Sequence, residues 1–324
     1  MFIIYKIKRL FQNSLTIIVS LFVLCLILEL NLRFYHKIKY KVPFFASLEH
    51  KRYSSSFGWI GTEIMGDLSS KKFKIFFVGD SYTEGSVGIK DLYYSIVKRN
   101  LDIELFVYGA AGYGTLQEFL VIDRYINFIK PDLVILQVTD NDFFDNLWDL
   151  DFGCLTIRTL TRPYYKDGKI KFLPAKRLFC LRYLQPHIRL INFVLVRIDA
   201  LYTIPDFIKI WNDIEKRDLE SKQFQESVAI TSELINKIKS RCGMIPLISF
   251  IVTDKEPYFT QFKAIFKNAD IDFIEKIPQL IRGFEIKNGV DYKAKDKVHW
   301  DEKGNRICAE YLTAYLKKYI LDKK

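Results

Sequence analysis

An α/β fold with a mostly parallel sheet, preceded by one transmembrane helix, is what this sequence predicts. Three observations carry that reading. A long apolar stretch lies near the N-terminus, short and almost continuous apolar runs follow at intervals, and segments of helical character separate those runs. Strands buried on both faces show such unbroken runs, and parallel strands need crossover connections that are usually helical.

The N-terminal stretch comes first. Lys6, Lys8 and Arg9 precede a span from Leu10 to Leu30 whose centre, Leu15 to Leu28, is almost wholly Leu, Ile, Val and Phe. Crossing a bilayer takes about 20 predominantly apolar residues, and the span reaches that length by including Gln12, Asn13 and Ser14. It ends in Glu29-Leu30-Asn31-Leu32-Arg33, without the small-residue exit of a cleaved signal peptide, so an uncleaved anchor is expected. Basic residues stand on both sides, with Arg33, Lys37, Lys39 and Lys41 following closely, so charge counting does not orient it. A short basic leader before an apolar run has the form of an export signal. The expectation is therefore an inside N-terminus and an extracytoplasmic soluble part.

The elements of the soluble part follow in order. Strands are expected at Lys74–Val78, Ile103–Tyr108, Leu133–Val138, Ile245–Val252 and Ile271–Ile274. Helices are expected at Asp91–Arg99, at Thr115–Ile129 before Pro131, at Glu226–Arg241 before Gly243, and at Glu302–Tyr319. The organisation read from this is an anchor over 1–34, a connecting segment over 35–72 and a catalytic domain over 73–324. An insertion at about 143–222, mixed aromatic and basic, interrupts the rhythm of that domain.

Composition narrows the function. Hydrophobic residues make up 49% and charged residues 27%, which is ordinary for a globular chain and excludes a wholly disordered one. Five cysteines without a C-x-x-C pair and only four histidines leave no zinc ribbon or finger; no metal and no cofactor is expected. Cys25 lies in the span. Cys154 and Cys180 flank one irregular stretch, and both a disulfide and free thiols remain open for them. Forty-nine Lys and Arg against 38 Asp and Glu give a net charge of +11, which suits anionic surroundings. No nucleic-acid recognition motif accompanies that charge, and the anchor argues against one.

In an open parallel sheet ligands bind beyond the carboxyl ends of the strands. Four polar blocks fall at that edge or just before the last helix: Gly79-Asp80-Ser81-Tyr82-Thr83-Glu84-Gly85, Gly109 to Gly114, Thr139-Asp140-Asn141-Asp142, and Asp296-Lys297-Val298-His299. Acyl transfer needs such a set. A serine hydroxyl is a poor nucleophile until an imidazole takes its proton, and a carboxylate must fix the imidazole tautomer. Ser81, His299 and Asp296 fill these roles. An oxyanion hole can be made by the Ser81 N–H, the Gly112 N–H and the Asn141 amide. Each block alone has a plainer reading as a turn, a cap or a surface pair. Their order and their common placement at strand ends favour catalysis. Asp80 and Glu84 are expected to be hydrogen-bonding residues, and His36, His50 and His187 have no assigned role.

The four blocks resemble those of the SGNH (GDSL-type) hydrolases, here through Ser81, Gly112, Asn141 and His299. Phe-Val-Gly-Asp-Ser-Tyr-Thr-Glu-Gly matches the first block closely, and Asp-Lys-Val-His-Trp-Asp-Glu-Lys-Gly nearly matches the last. Residues of about 73–141 and 245–320 carry the resemblance. It implies a flavodoxin-like three-layer α/β/α fold and esterase, lipase, thioesterase or carbohydrate acetyl-transfer chemistry. The third block departs from its usual Gly-x-Asn-Asp, with Thr139 at the glycine position, so local repacking is expected there. The anchored form resembles bacterial envelope members. Water or a sugar hydroxyl could equally release the acyl group, so hydrolase and O-acyltransferase stay open. The expected substrate is an O-acetyl group on an anionic envelope glycan. Arg158, Arg162, Lys166, Lys169, Lys171, Lys176 and Arg177 in the insertion, and sugar stacking on Tyr164 and Tyr165 beside ordinary core packing, enter that reading. A lipid esterase or lysophospholipase, or a thioesterase, is the alternative within acyl chemistry. A catalytically degenerate glycan-binding protein is the alternative outside it.

Overall fold

The computed structural model describes residues 2–40, 43–46, 52–54, 57–148, 150, 162–173, 184–185 and 187–321. Cys154 and Cys180, His50, Arg158, Lys176 and Arg177 lie outside the described residues. The chain divides into two compact units that interleave in sequence. Residues 1–50, 153–160 and 174–206 form one; residues 51–152, 161–173 and 207–324 form the other. The stretch read as an insertion thus contributes to both.

The first unit is built on a helix, Phe2–Tyr40, that runs beyond the expected span. Long, apolar and unburied over its central window, it is one helix long and apolar enough to cross a membrane, a test that a signal sequence also passes. Two of its polar side chains bond back to its own backbone: the Thr16 hydroxyl donates to the Gln12 carbonyl at 2.9 Å and the Asn31 amide to the Ile27 carbonyl at 2.8 Å. Where the span ends, the Glu29 carboxylate accepts from Arg33 at 2.6 Å and from the backbone N–H groups of Arg189 and Leu190 at 3.1 and 2.8 Å. Those two N–H groups open the helix Arg189–Ile198, where a negative charge is favoured.

The second unit holds the sheet. Its strands are β1 (Arg52–Ser54), β2 (Gly58–Ile60), β3 (Thr62–Ile64), β4 (Phe73–Gly79), β5 (Ile103–Gly109), β6 (Leu133–Val138), β7 (Arg162–Lys166), β8 (Lys169–Leu173), β9 (Leu247–Ile251) and β10 (Asp272–Ile274). Six of them form one sheet in the order β10-β9-β6-β4-β5-β3, parallel throughout except for β3 against β5. The other four make two antiparallel hairpins, β1-β2 and β7-β8. The five predicted strands are β4, β5, β6, β9 and β10. The apolar runs hide an alternation that only the fold reveals. Phe76, Val78, Phe106, Tyr108, Val134 and Leu136 face one layer, with Ile122, Ile126, Ile235, Ile238, Phe262 and Phe266 from helices above them. Ile75, Phe77, Leu105, Val107, Ile135 and Phe250 face the other, with Val97, Ile281, Leu312 and Leu316. This is the three-layer α/β/α arrangement.

Several elements differ from the sequence reading. The connecting segment contributes β3, three residues long and too short to show a period, which pairs Thr62 with Gly109 across the sheet edge. The helices Tyr258–Asn268 and Ile277–Asn288 cover the sheet on either side of β10; the second opens with Pro278 in its first turn, a start signal. In the insertion, Asp167 and Gly168 take φ of 53° and 70°, the paired left-handed residues of a tight hairpin turn between β7 and β8.

Candidate active site

The site is assembled where β4, β5 and β6 end. At the end of β4 the chain turns into a one-turn helix, Ser81–Glu84, with Ser81 as its first residue. Asp80 caps that turn, its carboxylate accepting the Tyr82 N–H at 2.9 Å. The turn is tied to the sheet by Gln137 of β6, whose side-chain oxygen accepts the Asp80 N–H at 3.2 Å and the Thr83 hydroxyl at 2.8 Å. Thr83 also meets the buried Tyr93 hydroxyl at 2.7 Å.

His299 and Asp296 share one loop. The ring Nδ1 of His299 lies 2.8 Å from Asp296 Oδ2, and Asp296 Oδ1 accepts the N–H groups of Val298 and His299 at 2.9 and 3.0 Å. Lys297 between them adopts φ of 59°, the left-handed turn that folds the loop back on the carboxylate. The Ala294 N–H bonds the His299 carbonyl at 2.8 Å and steadies the loop base. This is the geometry of an imidazole fixed in one tautomer and orientation by a carboxylate. Burial would push the Asp296 carboxyl up, but the Ser86 hydroxyl, the Val298 N–H and the His299 groups together hold it well below the usual carboxylate range.

Tyr82, next to Ser81, ties the serine turn to the histidine loop. Its ring meets the His299 ring edge-on with centroids 4.9 Å apart and the Trp300 ring at 5.1 Å. Its hydroxyl donates to the Val298 carbonyl at 3.0 Å. Segments more than two hundred residues apart in sequence thus meet beside the serine.

The other two blocks also come together. Gly112 adopts φ of +76° in the loop after β5, a conformation that favours glycine. The Glu84 carboxylate accepts the neighbouring Ala111 N–H, linking this loop to the serine turn. The Asn141 amide nitrogen donates to Asp145 Oδ2 at 2.8 Å and lies 3.3 Å from the Tyr113 carbonyl, one residue from Gly112. Asp145 therefore sets which way the amide faces. At the departure from the family pattern, the Thr139 hydroxyl donates to Asp140 at 3.0 Å and the Thr139 N–H to Asp142 at 3.2 Å, so the added side chain is absorbed locally.

Asp80 and Glu84 hold the backbone, as expected from sequence. In the insertion, Tyr164 and Tyr165 are buried, with the Tyr165 hydroxyl on Glu233, which is the core-packing reading of the pair; Arg162, counted among the basic residues suited to sugar acids, is instead fully buried with its guanidinium on the Asp145 carbonyl at 3.0 Å. These three are packing residues. Lys166 lies over the Trp148 ring at 4.4 Å, and Lys171 pairs with Asp167 at 2.6 Å. Sequence reasoning missed Tyr82, Ser86, Gln137 and Asp145, whose short polar or aromatic side chains carry no motif of their own. Tyr82 and Ser86 did stand close to Ser81 in the chain, which is the one signal available. No group of three or more side chains suited to holding a metal occurs among the described residues.

No family model and no curated protein matches the chain. Its neighbours among solved structures are esterases and acylhydrolases. The chain is similar to the psychrotrophic esterase EstA from Pseudoalteromonas sp., at 11% identity over 76% of this chain and 98% of that one, with a TM-score of 0.42. It is similar to a putative acylhydrolase from Bacteroides fragilis, at 13% identity over 78% and 90% of the two chains, with a TM-score of 0.40. Axe2, an acetylxylan esterase from Geobacillus stearothermophilus, gives 14% identity over 76% and 94%, with a TM-score of 0.39. Likenesses this loose add nothing to the chemistry, which rests on this chain's own residues.

Beneath the site lies a group of buried acids. Among the described residues, both oxygens of Glu118, Oδ1 of Asp142 and Oδ2 of Asp80 have no hydrogen-bond partner. Desolvation pushes Asp80 up to about 7 and raises Glu118 and Asp142 well above the carboxylate range, with their mutual repulsion adding to it. Each carboxyl therefore holds more protons folded than unfolded. The stabilising contribution is complete below the unfolded carboxylate pKa of about 4; for Asp80 it is lost as pH rises through about 7, and for Glu118 and Asp142 it falls throughout the rise above the ordinary carboxylate range. Thermal unfolding followed by circular dichroism is expected to show a melting temperature that falls between pH 5 and 7.5, and a shallower fall in Glu118→Gln. An unchanged slope in that variant would place the proton elsewhere.

Proposed function

We propose that this protein is a serine-dependent acyl-ester hydrolase or O-acyltransferase of the SGNH type, working through an acyl-Ser81 intermediate. The observation that carries the reading is the His299–Asp296 pair at 2.8 Å, packed through Tyr82 against the turn that bears Ser81. Ser81 Oγ attacks the ester carbonyl while the free nitrogen of His299 takes its proton. Asp296, holding Nδ1–H, stabilises the imidazolium that forms. The carbonyl oxygen becomes an oxyanion stabilised by the N–H groups of Ser81 and Gly112 and the amide of Asn141, which exchanges its 3.3 Å bond to the Tyr113 carbonyl for the oxyanion while Asp145 holds the amide nitrogen at 2.8 Å. Collapse expels the alcohol, protonated by His299, and leaves the acyl group on Ser81. Water or an acceptor hydroxyl, deprotonated by the same histidine, then releases it.

The acyl group in this reading is a short one, an O-acetyl on an anionic envelope glycan. The net charge of +11 supports an anionic partner, and a site tethered near a membrane would meet nascent glycan. The helix Phe2–Tyr40 acts as the anchor, with the soluble part extracytoplasmic.

Three experiments test this. Ser81→Ala and His299→Ala are each expected to abolish turnover of a short-chain aryl ester in a folded protein, and Asn141→Ala to lower kcat by about 10²–10³ with little change in KM. Wild-type rates in either triad variant would end the assignment, and an effect confined to KM would make Asn141 a binding group. Rates across an acyl-chain series are expected to peak at acetyl or propionyl. A maximum at about ten carbons or more would point to a long apolar pocket and a lipid substrate, since each buried methylene contributes about 0.8 kcal/mol. Since Cys242 and Cys308 are buried, a cysteine introduced at exposed Ser69 of the full chain is expected to be labelled in intact cells without disruption of the inner membrane. Labelling only after disruption would reverse the orientation.

A further inference from the structure

The hydroxyl of Ser86 occupies a place that the triad alone does not explain. It donates to Asp296 Oδ2 and lies 3.1 Å from His299 Nδ1, so with the 2.8 Å carboxylate–imidazole contact the three atoms close a triangle. Asp296 then has four donors: the Val298 and His299 N–H groups on one oxygen, and the His299 ring and Ser86 hydroxyl on the other. Both triad partners are partly open to solvent, with side chains 19% and 36% exposed for His299 and Asp296. A carboxylate so exposed, held only by its own short loop, could exchange its ring partner for water. The Ser86 hydroxyl closes that route on the Oδ2 side.

The backbone aims Ser86 there. Gly85 ends the nucleophile helix at φ of +76°, and a Cβ on it would fall 2.1 Å from a Leu92 methyl. The chain can therefore reverse sharply at Gly85 and deliver the next side chain onto the histidine loop. Ser81 and Ser86, on one short segment, then fix both ends of the proton-transfer pair: one is the nucleophile and the other holds the base's partner. We infer that Ser86 is a positioning residue that locks the Asp296 carboxylate and the His299 ring in register with Ser81. The inference rests on the triad reading above.

The test uses the full chain in detergent with p-nitrophenyl acetate. Ser86→Ala is expected to lower kcat by about ten- to a hundredfold, the scale of one hydrogen bond to a charged group, with KM and melting temperature unchanged. Ser86→Thr, which keeps the hydroxyl, is expected to recover most of the loss. A wild-type kcat in Ser86→Ala overturns the inference, and so does a loss that Ser86→Thr fails to restore and that accompanies a lowered melting temperature. Parallel assays of Ser81→Ala and His299→Ala separate the two levels. If they are inactive while Ser86→Ala is fully active, only the role of Ser86 falls; if they are active, both readings fall.

Discussion

The serine turn exists because β4 ends against β6 with no space between them. A Cβ on Gly79 would stand 2.3 Å from Thr83 Oγ1 and 2.5 Å from Gln137 Oε1, so the last residue of the strand has to lack one. In that gap Gln137 accepts from the Asp80 N–H and the Thr83 hydroxyl, and a single side-chain oxygen of one strand fixes the chain reversal of the next. The position of Ser81, the contact of Tyr82 with the histidine loop and the reach of Glu84 to Ala111 all follow from that closure. A polar side chain near the end of a buried strand would ordinarily be costly; here its acceptor is satisfied by the turn it organises, while its amide nitrogen has no partner among the described residues.

The same crowding has a cost beneath the loops. Asp80, Glu118 and Asp142 are fully buried, and burial disfavours their charged forms. Asp80 and Asp142 each spend one oxygen on a backbone N–H, of Tyr82 and Thr139, so two of the three help shape the loops that carry Ser81 and Asn141. Glu118 makes no such bond, and the structure offers no mechanical reason for its acid.

Much of this was legible in sequence. Five strands could be read from apolar runs because both faces of the central sheet are covered, which makes Ile75 to Val78 apolar without a gap. Gly79, Ser81, Gly112, Asn141, Asp296 and His299 stood out because each block ends a strand or precedes a helix. β3 was hidden, since three residues have no period and its pairing with β5 belongs to space rather than to the local chain. The helices flanking β10 were hidden behind mixed aromatic and basic patterns. Arg162 read as part of a basic surface for sugar acids, and Tyr164 and Tyr165 as core packing or sugar stacking; tertiary packing buries all three, because composition does not say which side of a hairpin faces the core.

The sequence by itself determined the apolar N-terminal helix, the alternating strand and helix order, and the identity of the residues able to do acyl chemistry. These are local properties: periodicity, turn residues and functional groups belong to short stretches of chain. Tertiary structure alone decided which of those groups meet. Tyr82 against His299, Ser86 on Asp296 and Gln137 under the serine turn depend on strand order and loop reversal, whereas Asp145 behind Asn141 is a local contact of one helical turn. The first three contacts join residues distant in sequence. Their partners are chosen by the packing of the sheet, a choice that no local pattern encodes.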